Sequence, residues 1–283
     1  MTHVSLLLAG LLALQATPVL SEGPAVAAKV VTLETLTHNV KKVRVRLPEQ
    51  YRFEAGQFAL ITVPAPFVEE WNAKYKTKHG RIRRAYSFAS SPKRLPVAEF
   101  IVQLAAPPPG RDVPPGIAST YIHTELKPGD TIEISQATGS LSKGGSSDSR
   151  PLILVAGGTG VAPFVGLLDH WFRTKQNKSR KVYLFFGARQ RRDLMLDSQF
   201  RRWAAKHSNF TYVPALSEPG PDDKWTGATG FINVVLDKHF TGPLDADVLI
   251  AGSPRMMQET VKAVKAKGVP EAQIRHDPIT VAP

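Results

Sequence analysis

From about residue 28 to 140 apolar and polar positions alternate in short runs; past residue 150 the apolar runs lengthen and are separated by longer amphipathic stretches. The first region contains "KVVTLETL" at 29–36, "KKVRVRL" at 41–47, "FALITV" at 58–63, "AYSFAS" at 85–90 and "EFIVQLA" at 99–105. The period of two is clearest from Val43 to Leu47 and places successive side chains on opposite faces of a strand. "LKPGD" at 126–130 predicts a turn, because Pro128 fixes φ and Gly129 supplies an unusual one, and it leads into a further strand, "TIEIS". Closely spaced strands with one short helical piece predict a small antiparallel barrel. "LSKGGSSDSR" at 141–150 reads as a polar linker.

Beyond the linker the strands "LILVAG", "KVYLFFGA", "FTYVPAL" and "DVLIAG" alternate with predicted helices near 161–174, 194–206, 230–238 and 255–268. That alternation is the pattern of a parallel sheet covered by helices on both faces. The predicted fold is therefore β followed by α/β: an apolar segment over 1–27, an antiparallel barrel over 28–145, and a doubly wound parallel-sheet domain over 146–283.

Composition narrows the chemistry. A chain of 283 residues with 42% hydrophobic content has the apolar material for two globular cores. It contains no cysteine, which excludes disulfides, thiolate metal sites, cysteine-ligated clusters and thiol nucleophiles, so redox chemistry must use an organic cofactor or a partner. The formal charge of +12 attracts something acidic: nucleic acid, an anionic membrane, a phosphorylated ligand or an acidic protein. Lysine and arginine are spread along the chain with no nucleic-acid module, which ranks nucleic acid last. The eight histidines show no ligand-like cluster, His276 and Asp277 read as surface residues, and no metal site is expected. No G-x-S-x-G elbow is present to support a serine hydrolase.

Residues 4–20, "VSLLLAGLLALQATPVL", are the segment with bilayer character, although the unbroken apolar part stops at Leu14. A full helical span needs roughly 20 residues. "AVAA" at 25–28 offers a signal-peptidase-like A-x-A site near Ala27, but the basic region that precedes a signal's apolar core is missing. Lys29, Lys41, Lys42 and Arg44 all follow the segment, so an anchor would leave the rest of the chain in the cytoplasm. Anchor, cleaved signal with a secreted or periplasmic product, and plain apolar tail all stay open.

Three stretches carry candidate chemistry. "GGTGVAP" at 157–163 closes the first strand of the second domain, where Gly157, Gly158 and Gly160 permit close approach of backbone N–H groups and Pro163 suits the first turn of a helix. The spacing departs from the dinucleotide fingerprint at its third glycine, and a turn that binds nothing is the competing reading. "RIRRAYSFASSP" at 81–92 puts Arg84, Tyr86 and Phe88 on one strand face, unless a bend intervenes. A tyrosine can cover a flat ring, an arginine can clamp a pyrophosphate, and Ser87 can hydrogen-bond a ring nitrogen; a basic edge strand is the alternative. "PPGIASTYIHTEL" at 114–126 supplies Gly116, Ser119 and Thr120 at a helix start suited to phosphate, or simply an ordinary helix cap.

In this order the three motifs resemble the ferredoxin-NADP reductase superfamily over about residues 28–275. Within it the chain looks most similar to the flavin and NADH modules of the sodium-translocating NADH:quinone reductases, through "RAYSFASSP", "PPGIASTYI", "FFGARQRRDLM", "ALSEPGPDDKWTGATGFINVVL" and "SPRMM". The resemblance implies an FAD-dependent oxidoreductase that takes hydride from NADH or NADPH and passes electrons to an external acceptor. It implies that Arg84, Tyr86 and Ser87 hold the flavin, that Gly116, Ser119 and Thr120 receive the FAD pyrophosphate, and that Gly158, Thr159, Gly160, Gly187, Arg189 and Gly252 line the nicotinamide-nucleotide site. Tyr86, Ser87 and Thr159 are the implied catalytic residues, and no acid/base dyad is needed.

The chain departs from the family's pattern at Ala251, where a cysteine is usual, at "ATGSLS", and in lacking both a terminal aromatic and an iron-sulfur domain. The acceptor is then a separate molecule, an acidic redox protein or a quinone. Arg189, Arg191 and Arg192 could clamp a 2′-phosphate, so both coenzymes stay open. The competing functions are a flavin- or nucleotide-binding protein that has lost turnover and, less favoured, a basic nucleic-acid-binding protein.

Overall fold

The computed structural model describes residues 24–108, 110–141 and 149–276; the apolar stretch at 4–20, most of the 141–150 linker and Asp277 lie outside them. Alternation in the first region produces β1 (Val26–Thr37), β2 (Val40–Arg46), β3 (Phe58–Thr62), β4 (Arg83–Ser87), β5 (Val97–Gln103) and β6 (Thr131–Ile134). They pair antiparallel in the order β4-β3-β6-β1-β2-β5. An antiparallel bridge from Phe88 to Phe100 joins the two edges, as barrel closure requires. Val43, Val45, Phe100, Val102 and Ile134 fill the interior, and Phe88 stacks on Phe53 with ring centroids 4.0 Å apart.

Two helices accompany the barrel, α1 (Ala65–Tyr75) and α2 (Ile117–Thr124), where the pattern predicts one. The missing one is α1, which buries only Val68 and Trp71, a single turn of apolar spacing that is too short to register as a period. Val26, Ala27 and Ala28 pair with Ile134, Glu133 and Ile132. The A-x-A stretch is thus part of β1, and cleavage near Ala27 would remove strand residues from the barrel.

The second region forms β7 (Leu152–Gly157), α3 (Ala162–Thr174), β8 (Val182–Ala188), α4 (Asp197–Lys206), β9 (Phe210–Leu216), β10 (Ala228–Thr229), α5 (Ile232–His239), β11 (Asp247–Ala251), α6 (Pro254–Ala266) and β12 (Ile274–His276). The sheet is parallel with order β10-β9-β8-β7-β11-β12. β10 and β12, two and three residues long, are too short to be legible as strands. Every residue of β11 is buried, as are the first five of β7, as expected where helices cover both faces. One face packs on Phe164, Leu168 and Phe200, the other on Leu236 and Val264.

The strand order turns around at β7, whose neighbours are β8 on one side and β11 on the other. Ligands of open α/β sheets bind outside the carboxyl ends of the strands at such a switch point. The barrel closes over that end: Val40, Ala55, Ala89 and Ile101 share a core with α3 residues Phe164, Val165 and Leu168.

Candidate active site between barrel and parallel sheet

β7 ends at Gly157, and the chain turns through Gly158 in the left-handed region (φ 54°) into a short 3-10 turn that becomes α3, with Pro163 in its first turn. A Cβ on Gly160 would lie 2.3 Å from the Ala251 carbonyl oxygen and 2.6 Å from the Gly252 nitrogen. The glycine turn therefore rests directly on the backbone at the end of β11. Gly187 sits opposite Gly157 on the next strand, and a Cβ on Gly252 would reach to 2.3 Å from Met256 Cε. Gly158, Thr159, Gly160, Gly187 and Gly252 are thus gathered on three adjacent strand ends. Arg189 and Arg192 stand on the exposed rim. Arg191 is tied instead to the 220–223 turn, its amide donating to Asp223 Oδ2 at 3.2 Å and its guanidinium to the Asp223 carbonyl at 2.9 Å.

The barrel residues reach the same place through the end of β5. The Phe88–Phe100 bridge holds the end of β4 against β5. Three residues beyond Phe100, Gln103 Oε1 lies 3.9 Å from where a Gly158 Cβ would be. Two residues further, the Ala105 carbonyl accepts from the Gly116 amide at 2.8 Å, which fixes the start of α2. On β4, Arg84, Tyr86 and Ser87 pair with Ile61, Ala59 and Phe58. One end of one strand thus collects the flavin-strand motif, the α2 start and the glycine turn.

The polar groups there are suited to an anion and a flat ring. The Thr120 amide closes the first bond of α2 on the Gly116 carbonyl at 2.9 Å, so the N–H groups of Ile117, Ala118 and Ser119 precede the helical ladder and point out of its N-terminus. A side chain at Gly116 would fall 2.8 Å from Ala105 Cβ, so only glycine lets this turn lie close. Thr120 Oγ1 is buried without a hydrogen-bond partner among the described residues, and an orphan hydroxyl of that kind costs about 1–3 kcal/mol unless a ligand takes it. The Ser119 hydroxyl is already engaged within the chain. It donates to the Gly116 carbonyl at 2.9 Å and accepts from the Ala105 amide at 3.1 Å, so Ser119 offers a ligand its backbone N–H only. The Arg84 guanidinium donates to the Arg83 carbonyl at 2.9 Å, an anchor that still leaves most of its fork to engage an anion.

Burial pushes the Tyr86 phenol up to about 12, with the Arg84 charge pulling the other way. Burial also raises Tyr51 and Tyr212. For a folded-state value above the unfolded one, the stabilising contribution is complete below pH about 10 and is lost as pH rises through the folded value. The urea midpoint is accordingly expected to fall steadily from about pH 10 to about 11.5, and Tyr86→Phe to fall less steeply; equal slopes would contradict the burial of this phenol.

A groove of about 620 Å³ lies elsewhere, between α1 and the β3/β6 rim. Several of its polar groups are engaged within the chain: Asn72 bonds Thr77 and His79, and Arg81 pairs with Glu133, whose carboxyl is held low by Thr62 and Arg81. Among the described residues no helix is long and apolar enough to cross a membrane.

An oxidoreductase FAD-binding domain matches residues 27–142, and an oxidoreductase NAD-binding domain matches 154–262. The two domains stand in tandem, the FAD-binding one first, and together they account for most of the chain. It is 32% identical over 256 residues to a subunit of the Na(+)-translocating NADH-quinone reductase of Yersinia enterocolitica, covering 89% of this chain and 59% of that one. To the corresponding subunit of Neisseria meningitidis it is 34% identical over 264 residues, covering 84% and 64%. The chain thus spans about three fifths of these curated relatives. Among solved structures it is similar to an Amycolatopsis cytochrome P450 reductase, GcoB (TM-score 0.73, 27% identity, 89% of this chain and 69% of that one). It shares its fold with a ferredoxin NADP+ reductase from Neisseria gonorrhoeae with bound FAD and NADP (TM-score 0.72, 21% identity, 90% and 99%).

With both domains on one chain, it is a flavin oxidoreductase that uses NAD(P)H. Sequence motifs mark the glycine turn and β4, but they leave out Gln103 and Ala105, the residues that bring the two together. Both contacts are set by where β5 ends, which no local pattern records.

Proposed function

We propose that FAD lies across the end of β5, with Arg84 and the α2 start (Gly116, the Ser119 amide, Thr120) on its pyrophosphate and with Tyr86 and Ser87 against its ring. Gly158, Thr159, Gly160, Gly187, Arg189 and Gly252 receive the nicotinamide nucleotide. Held there, FAD would supply the two-electron redox chemistry that couples oxidation of NADH or NADPH to reduction of a separate acceptor. The protein's share is positioning: the glycine turn lets the nucleotide approach the β7 backbone, Thr159 and Ser87 supply hydroxyls for orientation, and the overlying barrel keeps water out. The single observation that carries this reading is the convergence of β4, the α2 start and the glycine turn on β5, with a buried, unpartnered Thr120 hydroxyl among them.

The domain limits in this reading are 28–145 for the flavin barrel and 146–283 for the nucleotide domain. The acceptor is a separate molecule, an acidic redox protein or a quinone, which the similarity to NADH-quinone reductase subunits and the net charge of +12 support. Residues 4–20 bring the chain to a membrane, with the two domains on its cytoplasmic side. The test is equilibrium FAD binding followed by flavin fluorescence. Arg84→Gln removes a charge-assisted fork that is worth about 1.5–3 kcal/mol, so FAD affinity is expected to fall roughly ten- to hundredfold. Unchanged affinity would remove Arg84 from the site.

A further inference from the structure

Asp169 lies on α3, nine residues past Gly160, and is 7% exposed. Three of the hydrogen bonds it accepts come from the other domain. Oδ2 accepts the Ser91 amide at 3.0 Å and Arg94 Nε at 2.6 Å, and Oδ1 accepts Arg94 Nη2 at 2.9 Å. On α3 itself, Arg173 Nε donates to Oδ1 at 3.0 Å. The next residue, His170, brings Nδ1 to 3.1 Å from the Ser91 hydroxyl. One turn earlier, a Cβ on Gly166 would meet the Phe88 carbonyl oxygen at 2.4 Å and that of Ser90 at 3.3 Å, so α3 touches the barrel backbone with no side chain between.

The barrel segment held in this way is the one that leaves the flavin strand. Ser87 ends β4, and Ser91 follows four residues later. Between them Phe88 donates to the Gln57 carbonyl at 2.9 Å, Ala89 donates to that of Glu99 at 2.7 Å, and Ser90 Oγ accepts the Glu99 amide at 3.1 Å. Neither side can move without carrying its half of the site: α3 carries the Thr159–Gly160 turn, and the 88–94 segment carries Ser87 and Tyr86. An Arg–carboxylate fork with a main-chain donor on the same carboxylate fixes direction as well as distance. Burial works against the charge on Asp169, yet the hydrogen bonds from Arg94 and the Ser91 amide outweigh it and hold the carboxyl below the usual range.

We propose that Asp169 is a positioning residue for hydride transfer: its carboxylate, clasped by Arg94 and the Ser91 amide, pins the nicotinamide turn in register with the flavin strand. The proposal rests on the function given above but reaches a residue that neither ligand touches. It predicts a loss that is kinetic and geometric, with cofactor content and coenzyme affinity preserved. A displacement on the order of 1 Å at the reacting centre can cost roughly a hundredfold in rate.

The absence of cysteine from the sequence permits a direct test. Spin labels on Gln50→Cys in the barrel and Lys238→Cys on α5, both exposed, report the distance between the domains in the full chain without any cofactor. Asp169→Asn and the milder Arg94→Gln are expected to broaden that distance distribution. In the FAD-loaded protein they are expected to slow flavin bleaching at saturating coenzyme roughly ten- to hundredfold, with FAD content and coenzyme Kd within about twofold of the parent. Arg173→Gln, which removes an ion pair lying within α3, is expected to change neither. A narrow distribution and parental bleaching rate in both Asp169→Asn and Arg94→Gln would overturn the proposal, as would an Arg173→Gln effect of equal size. Should the parent protein take up no FAD, or stay unbleached, the functional reading fails instead, and the spin-label distances still decide whether the pin exists.

Discussion

Replacing Gly160 by alanine is expected to abolish flavin reduction by the coenzyme while leaving FAD on the barrel. The new methyl would lie 2.3 Å from the Ala251 carbonyl oxygen and 2.5 Å from its carbon. These are backbone atoms of a fully buried strand, which cannot swing aside as a side-chain tip could. Overpacking of this kind costs typically about 1–3 kcal/mol, occasionally more, and the strain is relieved only by lifting the glycine turn off β11. That lift moves the turn proposed to receive the nucleotide, so a loss on the order of a hundredfold or more in bleaching rate is expected. Gly158→Ala is expected to be milder. There the nearest atom is Gln103 Oε1 at 3.9 Å, so the cost is only that of a non-glycine residue in the left-handed region, about 1–2 kcal/mol. A Gly160→Ala protein that bleaches as fast as Gly158→Ala would show that the turn does not bear on β11 as described.

The largest expected loss of stability lies at the opposite end of the same sheet. Asp247 opens β11 and accepts a hydrogen bond from the Arg180 guanidinium, whose side chain is 2% exposed, with Arg150 Nη2 3.3 Å away on its other oxygen. Asp247→Ala leaves the Arg180 charge buried without its counterion. Breaking a buried pair from one side costs about 3–5 kcal/mol, and for a chain of this size each kcal/mol lowers Tm by roughly 2–4 °C. A fall of about 6–20 °C is expected in calorimetry. Because β7 and β11 begin here and carry the site at their far ends, flavin reduction at room temperature should remain near the parental rate. An unchanged Tm would mean that the ion pair is solvated in solution.

The two predictions differ in how far they can be traced back to sequence. Gly160 stands in a strand–glycine–helix grammar that is local, and the turn, Pro163 and the amphipathic α3 all follow from neighbours in the chain. β2 is legible for the same reason, since Val43 and Val45 alternate with Arg44 and Arg46 and the burial follows. Asp247 and Arg180, by contrast, are 67 residues apart in the chain, and nothing near either one announces the pair. The same limit hides Asp169, whose barrel partners lie 75 and 78 residues upstream.

Local chemistry does not fix which atom of a residue is available. Ser119 has the right residue type at the right helix start, yet the loop after β5 passes close enough for the Ala105 amide to claim its hydroxyl. Thr120, one residue on, keeps its hydroxyl buried and unpartnered among the described residues. Which of two adjacent hydroxyls meets a ligand is decided by the tertiary path of a distant loop, and so is the convergence on Gln103. α1 is illegible for a different reason, because its contact with the barrel is a single turn wide.

The central claim is that the coenzyme delivers hydride directly to FAD where the glycine turn meets the end of β5. The measurement that tests it most directly is anaerobic stopped-flow bleaching of the FAD-loaded full chain, with NADH and separately NADPH, each compared with its C4-deuterated form. Stoichiometric bleaching by at least one coenzyme, slowed by deuterium on one face of the nicotinamide, is the predicted result. FAD that binds tightly but is bleached by neither coenzyme would contradict the account and leave a flavin-binding protein without turnover.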